Sequence, residues 1–295
     1  MSNWKIYKNG NYIVKINIEN GTKIRETMED NFLPSFAENC DCKITDKCDA
    51  GCSFCYEGCT PNGKHGDILN YKFLDTLHPL TELAINGNDM SHPDLIPFLK
   101  KLKERKVIAN LTVNQIHFEK HQELLRKLTD EKLIFGLGIS LQKPTKEFIS
   151  LVKTYPNAVL HTINGILKQS DVEMLADNGI KMLILGYKQL KRGKTYYEST
   201  NEDITIKQKW LKENLKNFLT RFKVISFDNL ALEQLEIKNL MKQNDWNEFY
   251  MGDDGQFTFY IDLVEGTFGR NSLATTRYPI KDNVDEMFQI IKNER

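Results

Sequence analysis

The stretch "CDAGCSFCYEGC", residues Cys48–Cys59, holds four of the chain's six cysteines, and the other two lie just upstream in "ENCDC" at Cys40 and Cys42. Its Gly and polar residues favour a loop over a helix. Three thiols within it are spaced C-x3-C-x2-C, at Cys48, Cys52 and Cys55. Thiolates on one short loop can converge on one site, so this stretch predicts a metal or redox centre.

Composition restricts where such a centre would work. The chain has 295 residues, and 40 basic side chains balance 40 acidic ones, so nothing indicates bulk nucleic-acid binding. The first residues lack the apolar stretch of a signal peptide, and no apolar run is long enough to span a membrane. We therefore expect a cytoplasmic protein without membrane association, in which clustered cysteines are ligands or redox groups rather than disulfides.

Short apolar runs alternate with amphipathic stretches on both sides of the cysteine loop, a pattern typical of βα units with a parallel sheet. The candidate strands are "CKIT", "ELAIN", "VIANLTV", "LIFGLGISL", "AVLHTI", "KMLILGY" and "KVISF". In "SHPDLIPFLKKLKERK", Ser91 is the predicted N-cap of a helix. The fold class predicted is α/β, a partial (β/α)6-type TIM barrel over residues 41–245.

Both ends of the chain predict β-hairpins outside the barrel. Residues 3–17 alternate around Asn9-Gly10, a pair suited to a tight turn, so we expect an N-terminal hairpin and lead-in over residues 1–40. The run "QFTFYIDLV" after the turn "MGDDGQ" predicts a C-terminal hairpin and tail over residues 246–295, packed beside the barrel.

The cysteine spacing resembles that of the radical S-adenosylmethionine (SAM) superfamily. The family motif, C-x3-C-x-Φ-C with an aromatic Φ, is matched by Cys48, Cys52, Phe54 and Cys55. The resemblance implies that the three thiolates hold a [4Fe-4S] cluster, which normally takes four, and that SAM binds the remaining iron. It also implies an oxygen-sensitive enzyme in which an external donor such as flavodoxin or ferredoxin supplies an electron, SAM is cleaved, and a 5'-deoxyadenosyl radical abstracts hydrogen from a substrate.

A second motif is "AINGND", at the end of the second barrel strand. The family carries there a Gly-Gly-Glu-Pro-like turn that binds the SAM ammonium group, and the resemblance places Asn86, Gly87, Asn88 and Asp89 in it. The chain departs from the pattern, with Asn in place of the first Gly and Asp in place of Pro. Gly87 still frees the backbone to approach a ligand, and the side chains of Asn88 and Asp89 can accept hydrogen bonds from an ammonium group.

Later strand ends supply the remaining candidate SAM contacts. Barrel sites of this type are built from the C-terminal ends of several strands. Asn114, Ser140, Gln142 and Asn164 stand at such ends. From the family pattern, Ser140 and Gln142 are expected at the ribose or carboxylate of SAM and Asn164 near adenine; turn and cap roles are the alternative for each.

Three cysteines lie outside the motif and have several possible roles. Cys40, Cys42 and Cys59 can hold an auxiliary iron-sulfur cluster, help complete a zinc site, or be small buried side chains. Cys59 alone is a candidate catalytic hydrogen donor, because thiols give up hydrogen atoms readily. The motif does not select a substrate, so a peptide and a nucleoside-like small metabolite both remain open. The alternative function is an iron-sulfur or zinc-binding redox or regulatory protein without SAM chemistry.

Overall fold

The structure, a computed structural model, describes residues 3–294, so Met1, Ser2 and Arg295 of the two predicted terminal segments lie outside the described residues. The strands are β1 Trp4–Asn9, β2 Tyr12–Asn17, β3 Lys23–Glu26, β4 Asn39–Lys43, β5 Glu82–Asn88, β6 Ile108–Asn114, β7 Gly136–Ser140, β8 Ala158–Ile163, β9 Lys181–Leu185, β10 Val224–Phe227, β11 Thr258–Asp262, β12 Thr267–Gly269 and β13 Tyr278–Pro279. The α-helices are α1 Leu95–Glu104, α2 Gln115–Lys120, α3 Gln122–Asp130, α4 Lys146–Val152, α5 Gln169–Leu175, α6 Arg192–Phe218, α7 Asn229–Gln234, α8 Gln243–Phe249 and α9 Val284–Asn293.

A ten-stranded sheet organises the fold, in the order β10-β9-β8-β7-β6-β5-β4-β11-β12-β13. Its strands β4 to β10 follow each other in chain order, and every neighbouring pair among them is parallel. Helices connect most of these strands, as expected for parallel crossovers. The predicted α/β partial barrel is therefore confirmed, and each of the seven candidate runs contributes a strand.

The two faces of the barrel sheet differ in chemistry because side chains alternate along a strand. One face is apolar and packs against the helices in the core, with Leu83, Ile85, Leu111 and Ile139 all nearly inaccessible to solvent. Helix α1 meets this layer with four buried side chains on one side, at Leu95, Phe98, Leu99 and Leu102. The concave face carries mainly polar and small side chains and is half-buried. We call the space that this face borders the chamber.

The predicted start of the first barrel helix is wrong. Helix α1 begins at Leu95 after Asp94, and Ser91 instead donates its hydroxyl to Asp89 Oδ1 at 2.6 Å. Pro93 explains the shift, because a residue that precedes proline is disfavoured in the helical region. Ser91 therefore belongs to the turn that follows β5.

The N-terminal segment contains the predicted hairpin plus a third strand that the sequence did not indicate, in the order β1-β2-β3. It covers the N-terminal end of the barrel. Lys23 Nζ of β3 lies 2.7 Å from Glu82 Oε2, at the first residue of β5, and 3.3 Å from the buried Glu38. Arg25 also pairs with Glu38, at 2.8 Å. This sheet thus lies at the opposite end of the barrel from the cysteine loop.

The C-terminal segment joins the barrel sheet rather than only packing beside it. Strand β11 pairs in parallel with β4, and β12 continues antiparallel to β11. Helix α9, which the sequence analysis left out, packs beneath these strands through Met287, Phe288 and Ile291. Among residues 3–294, no helix combines the length and the apolar composition needed to cross a membrane.

Candidate active site

The cysteine loop follows β4 at the C-terminal end of the barrel and is anchored to β5 by two amide side chains. Asn86 Oδ1 accepts the Ile44 N–H at 2.7 Å, and its Nδ2 donates to the Thr45 carbonyl at 3.2 Å. Asn88 Nδ2 lies 3.2 Å from the Thr45 carbonyl and 3.3 Å from the Lys47 carbonyl. Both asparagines therefore fix the start of the loop. A glycine at position 86 would make neither of the two side-chain hydrogen bonds of Asn86.

The remainder of the "AINGND" motif is shaped by close packing. A Cβ on Gly87 would lie 2.8 Å from Leu111 Cδ1 and 3.0 Å from the Thr112 carbonyl oxygen, so only glycine fits there without displacing β6. Asp89 is buried, and its Oδ1 accepts the Ser91 backbone N–H at 3.0 Å. The contact of these four residues with SAM stays a prediction.

Two amide side chains from neighbouring strand ends point at one sulfur of the motif. Asn114 Nδ2 lies 3.6 Å from Cys52 Sγ, and Gln142 Nε2 lies 3.4 Å from the same atom. Amide donors of this kind stabilise a thiolate and are the usual partners of cluster sulfurs. Asn114 also caps α2 by accepting the Ile116 N–H, so its position is fixed by the helix it starts.

Cys59, the candidate hydrogen donor, is buried next to a motif cysteine. Asn88 Nδ2 lies 3.3 Å from Cys59 Sγ. The hydrogen bond between Cys59 and Cys55 lowers the pKa of the Cys55 thiol below its ordinary value and raises that of Cys59. The two cysteines are thus hydrogen-bonded to each other at the edge of the motif.

The other two motif thiols are held differently. Burial raises the pKa of Cys48 to about 11, and burial also raises the pKa of Cys52 against the lowering effect of the Gln142 amide. All three motif cysteines are half-buried. Within residues 3–294, no three His, Cys, Asp or Glu side chains are gathered closely enough to hold one metal ion.

This donor set fits a four-iron cluster. A single zinc ion needs its ligands gathered about one point, whereas a [4Fe-4S] cluster takes each thiolate at a different iron. Three half-buried cysteines on one loop, with amide donors on Cys52 and a hydrogen bond between Cys55 and Cys59, match the second requirement. Cys48, Cys52 and Cys55 are the residues that would hold it.

Cys40 and Cys42 face away from this loop. They alternate on β4 with Asp41 and Lys43, so the two thiols share the outer face, where both are buried in the apolar core. Burial raises the pKa of each thiol, which keeps it protonated. Of the possible roles for this pair, the structure supports the small buried side chain.

Two further strand-end candidates have different surroundings. Ser140, the last residue of β7, is half-buried on the concave face and lies beside His161 of β8 in the register. Asn164 is fully buried, and its Nδ2 donates to Gln234 Oε1 at 3.1 Å, so its side chain ties the end of β8 to α7. Among the described residues, Asn164 Oδ1 has no hydrogen-bond partner, and the contact of this residue with adenine stays a prediction. Phe54 lies edge-on to Tyr196, with ring centroids 6.1 Å apart.

A buried lysine that the sequence analysis did not single out fastens the loop on both sides of the three cysteines. Lys43 Nζ lies 2.7 Å from Asp46, 3.2 Å from Glu57 and 3.2 Å from Asp262 of β11. Burial alone would lower the pKa of Lys43, but the carboxylates, Glu57 foremost, outweigh it and raise that pKa. The lysine is therefore charged and links the loop to the C-terminal strands.

The chamber below the loop contains a carboxylate and an imidazole on its concave wall. Asp41 faces the chamber. Desolvation by the surrounding protein raises its pKa to about 6, against the lowering effect of the Lys188 ammonium group. His161 lies against Gly138, and burial lowers its pKa to about 4, so it is neutral near pH 7. Lys188 Nζ lies 4.3 Å from the Tyr56 ring centroid and donates to Ser272 Oγ at 2.9 Å.

Asp41→Asn is expected to stabilise the chain in a pH-dependent way. The folded-state pKa of Asp41, about 6, is above the ordinary value of about 3.9, so the carboxylate costs stability as pH rises between these values. Because the side chain is solvated, we expect a gain of only about 1 kcal/mol at pH 7.5 and about half of that at pH 5. Urea denaturation at both pH values, with the exposed Asp30→Asn as control, measures it. An equal gain at both pH values would contradict this assignment.

The chain resembles solved structures in its fold. No family model matches the sequence, and no curated protein matches it. Among solved structures, the crystal structure of Streptococcus suis SuiB bound to S-adenosylmethionine matches with a TM-score of 0.60 and 13% identity, covering 98% of this chain and 87% of SuiB. The chain has the fold of SuiB. A second SuiB crystal structure gives a TM-score of 0.58, also at 13% identity, over 99% of this chain and 87% of that one.

Proposed function

We propose that this chain is a radical SAM enzyme. The observation that carries the proposal is the trio Cys48, Cys52 and Cys55 on one loop, with two amide donors at Cys52 Sγ, at the C-terminal end of a partial barrel whose fold is shared with a SAM-bound protein. The [4Fe-4S] cluster that the trio would hold would supply the electron that cleaves SAM into methionine and a 5'-deoxyadenosyl radical, which would abstract hydrogen.

The chain's own residues bind and orient the reactants. The amides of Asn114 and Gln142 stabilise the Cys52 thiolate, and the Cys59 thiol stabilises Cys55. We propose that SAM binds where the strand ends that carry Ser140, Gln142 and the turn Gly87–Asp89 meet the cysteine loop.

The chamber bears on the substrate class. Arg270 and Arg277, two candidates for binding an anionic group, donate instead to backbone carbonyls at Asp254 and Asn271. Near the loop, the Lys188 ammonium is opposed by Asp41. Arg192 adds a positive charge beside Cys52, and we propose a peptide side chain or a nucleoside-like metabolite as the group that enters.

A peptide substrate would have to reach this end of the barrel. The exposed edge of β1, where an extended peptide can add as a strand, belongs to the sheet at the opposite end. A peptide bound at the β1 edge needs about ten more extended residues to run along the barrel strands and reach the cysteine loop. Truncating a candidate peptide within that stretch would therefore abolish its modification while leaving its binding intact.

The test of the proposed function is SAM cleavage. The chain, reconstituted anaerobically with iron and sulfide, is expected to be brown and, with dithionite and SAM, to release 5'-deoxyadenosine. A well-loaded protein that releases none would favour the redox or regulatory alternative. Once a substrate is known, Cys59→Ala separates two roles, because a variant that still forms product excludes Cys59 as the hydrogen donor.

A further inference from the structure

The segment that follows β9 is hydrogen-bonded to the cysteine loop. We call residues 186–196 the clasp. Lys191 Nζ donates to the Glu57 carbonyl at 2.7 Å, and Arg192 Nε donates to the Cys52 carbonyl at 3.1 Å. The Cys52 carbonyl also accepts the Cys55 N–H, at 3.3 Å. Arg192 therefore binds the carbonyl that closes the turn between two of the three motif cysteines.

The clasp and the loop approach each other closely at two glycines, Gly58 and Gly193. A Cβ on Gly58 would lie 2.8 Å from Lys191 Cδ, and a Cβ on Gly193 would lie 3.3 Å from the Phe54 carbonyl oxygen. Lys191 itself has a φ of +46°, a conformation that a lysine adopts only when its surroundings impose it. The contact is thus a close one, in which side chains of the clasp meet backbone carbonyls of the loop.

Arg192 brings a permanent charge to this contact. Its hydrogen-bond partner is a carbonyl rather than a carboxylate, so no bonded acid cancels the charge at short range. The guanidinium is half-buried, where solvent screens it less than at the surface.

We propose that Arg192 is a positioning residue that holds the Cys52–Cys55 turn and, through its charge, raises the reduction potential of the cluster bound there. Adding an electron makes the cluster more negative, and a fixed positive charge nearby stabilises that state. Net charge and hydrogen bonding around the sulfurs are the protein's means of setting such potentials. The inference rests on the proposed function, since it requires the cluster.

The test is a potentiometric titration of the anaerobically reconstituted full chain without SAM, followed by electron paramagnetic resonance. At the wild-type midpoint potential, Arg192→Gln is expected to lower the ratio of reduced to oxidised cluster about tenfold, which for a one-electron couple is about 59 mV. Arg192→Lys keeps the charge and is expected to recover most of the potential. Lys194→Gln, which removes an exposed charge from the same helix turn, is the matched control and is expected to leave the ratio unchanged.

Each outcome decides one point. An unchanged potential in Arg192→Gln overturns the inference, and so does an equal shift in Lys194→Gln. If Arg192→Gln binds less iron, the loaded fraction still titrates, and reduced loading at an unchanged potential would reduce Arg192 to a structural role. A wild-type chain that takes up no cluster would overturn the proposed function itself, a result that iron analysis separates from the others.

Discussion

Replacing Cys48, Cys52 or Cys55 by alanine, one at a time, is expected to lower the release of 5'-deoxyadenosine more than about 100-fold, because each thiolate is proposed to bind a different iron. Iron and sulfide content per chain after anaerobic reconstitution should fall with it.

The matched control for these variants is Cys42→Ala. Its thiol lies on the outer face of β4 in the apolar core, so the variant should keep the iron content of the wild type and lose only some stability. If Cys42→Ala lost iron to the same extent as Cys52→Ala, the division of the six cysteines into a motif and a core pair would be wrong.

Lys43→Met is expected to give the largest loss of stability. It would leave the carboxylates of Asp46, Glu57 and Asp262 close together without their shared cation. Breaking a buried ion pair from one side typically costs about 3–5 kcal/mol. The free energy of unfolding of the cluster-free chain, measured by urea denaturation, should fall by that amount, and the loosened loop should also bind less iron.

Lys72→Met is the control for this loss. Lys72 pairs with Asp282 at 2.8 Å on the surface, where both side chains are about three-quarters exposed, so its removal should cost far less stability than the removal of Lys43. Should Lys43→Met not fold, Lys43→Arg keeps the charge and should retain most of the stability. A loss in Lys43→Met no larger than in Lys72→Met would show that the network does not hold the loop.

The barrel and its loop could be predicted from the sequence because their signals are local. Alternating apolar runs mark each strand, and the cysteine spacing marks the loop. The orientation of Cys40 and Cys42 was not predicted, because the predicted strand "CKIT" begins at Cys42, whereas β4 spans Asn39–Lys43 and so contains both thiols on one face.

What the sequence did not reveal depends on distant partners. Strand β3, "KIRE", is short and polar, and Glu38 and Glu82 of other segments hold it in place. Arg192 meets the loop 140 positions earlier in the chain, and Asp262 meets Lys43 from 219 positions away. No periodicity within either segment encodes such contacts, so their roles emerge only from the folded chain.

The most direct test of the central claim is electron-nuclear double resonance on the reduced, reconstituted chain with SAM labelled with ¹⁵N in its amino group. The claim is that Cys48, Cys52 and Cys55 leave one iron open and that SAM occupies it. The account predicts a ¹⁵N hyperfine coupling that disappears when unlabelled SAM is added in excess. A loaded cluster whose spectrum shows no coupling to the label, or one whose fourth iron is bound by a protein side chain, would contradict it.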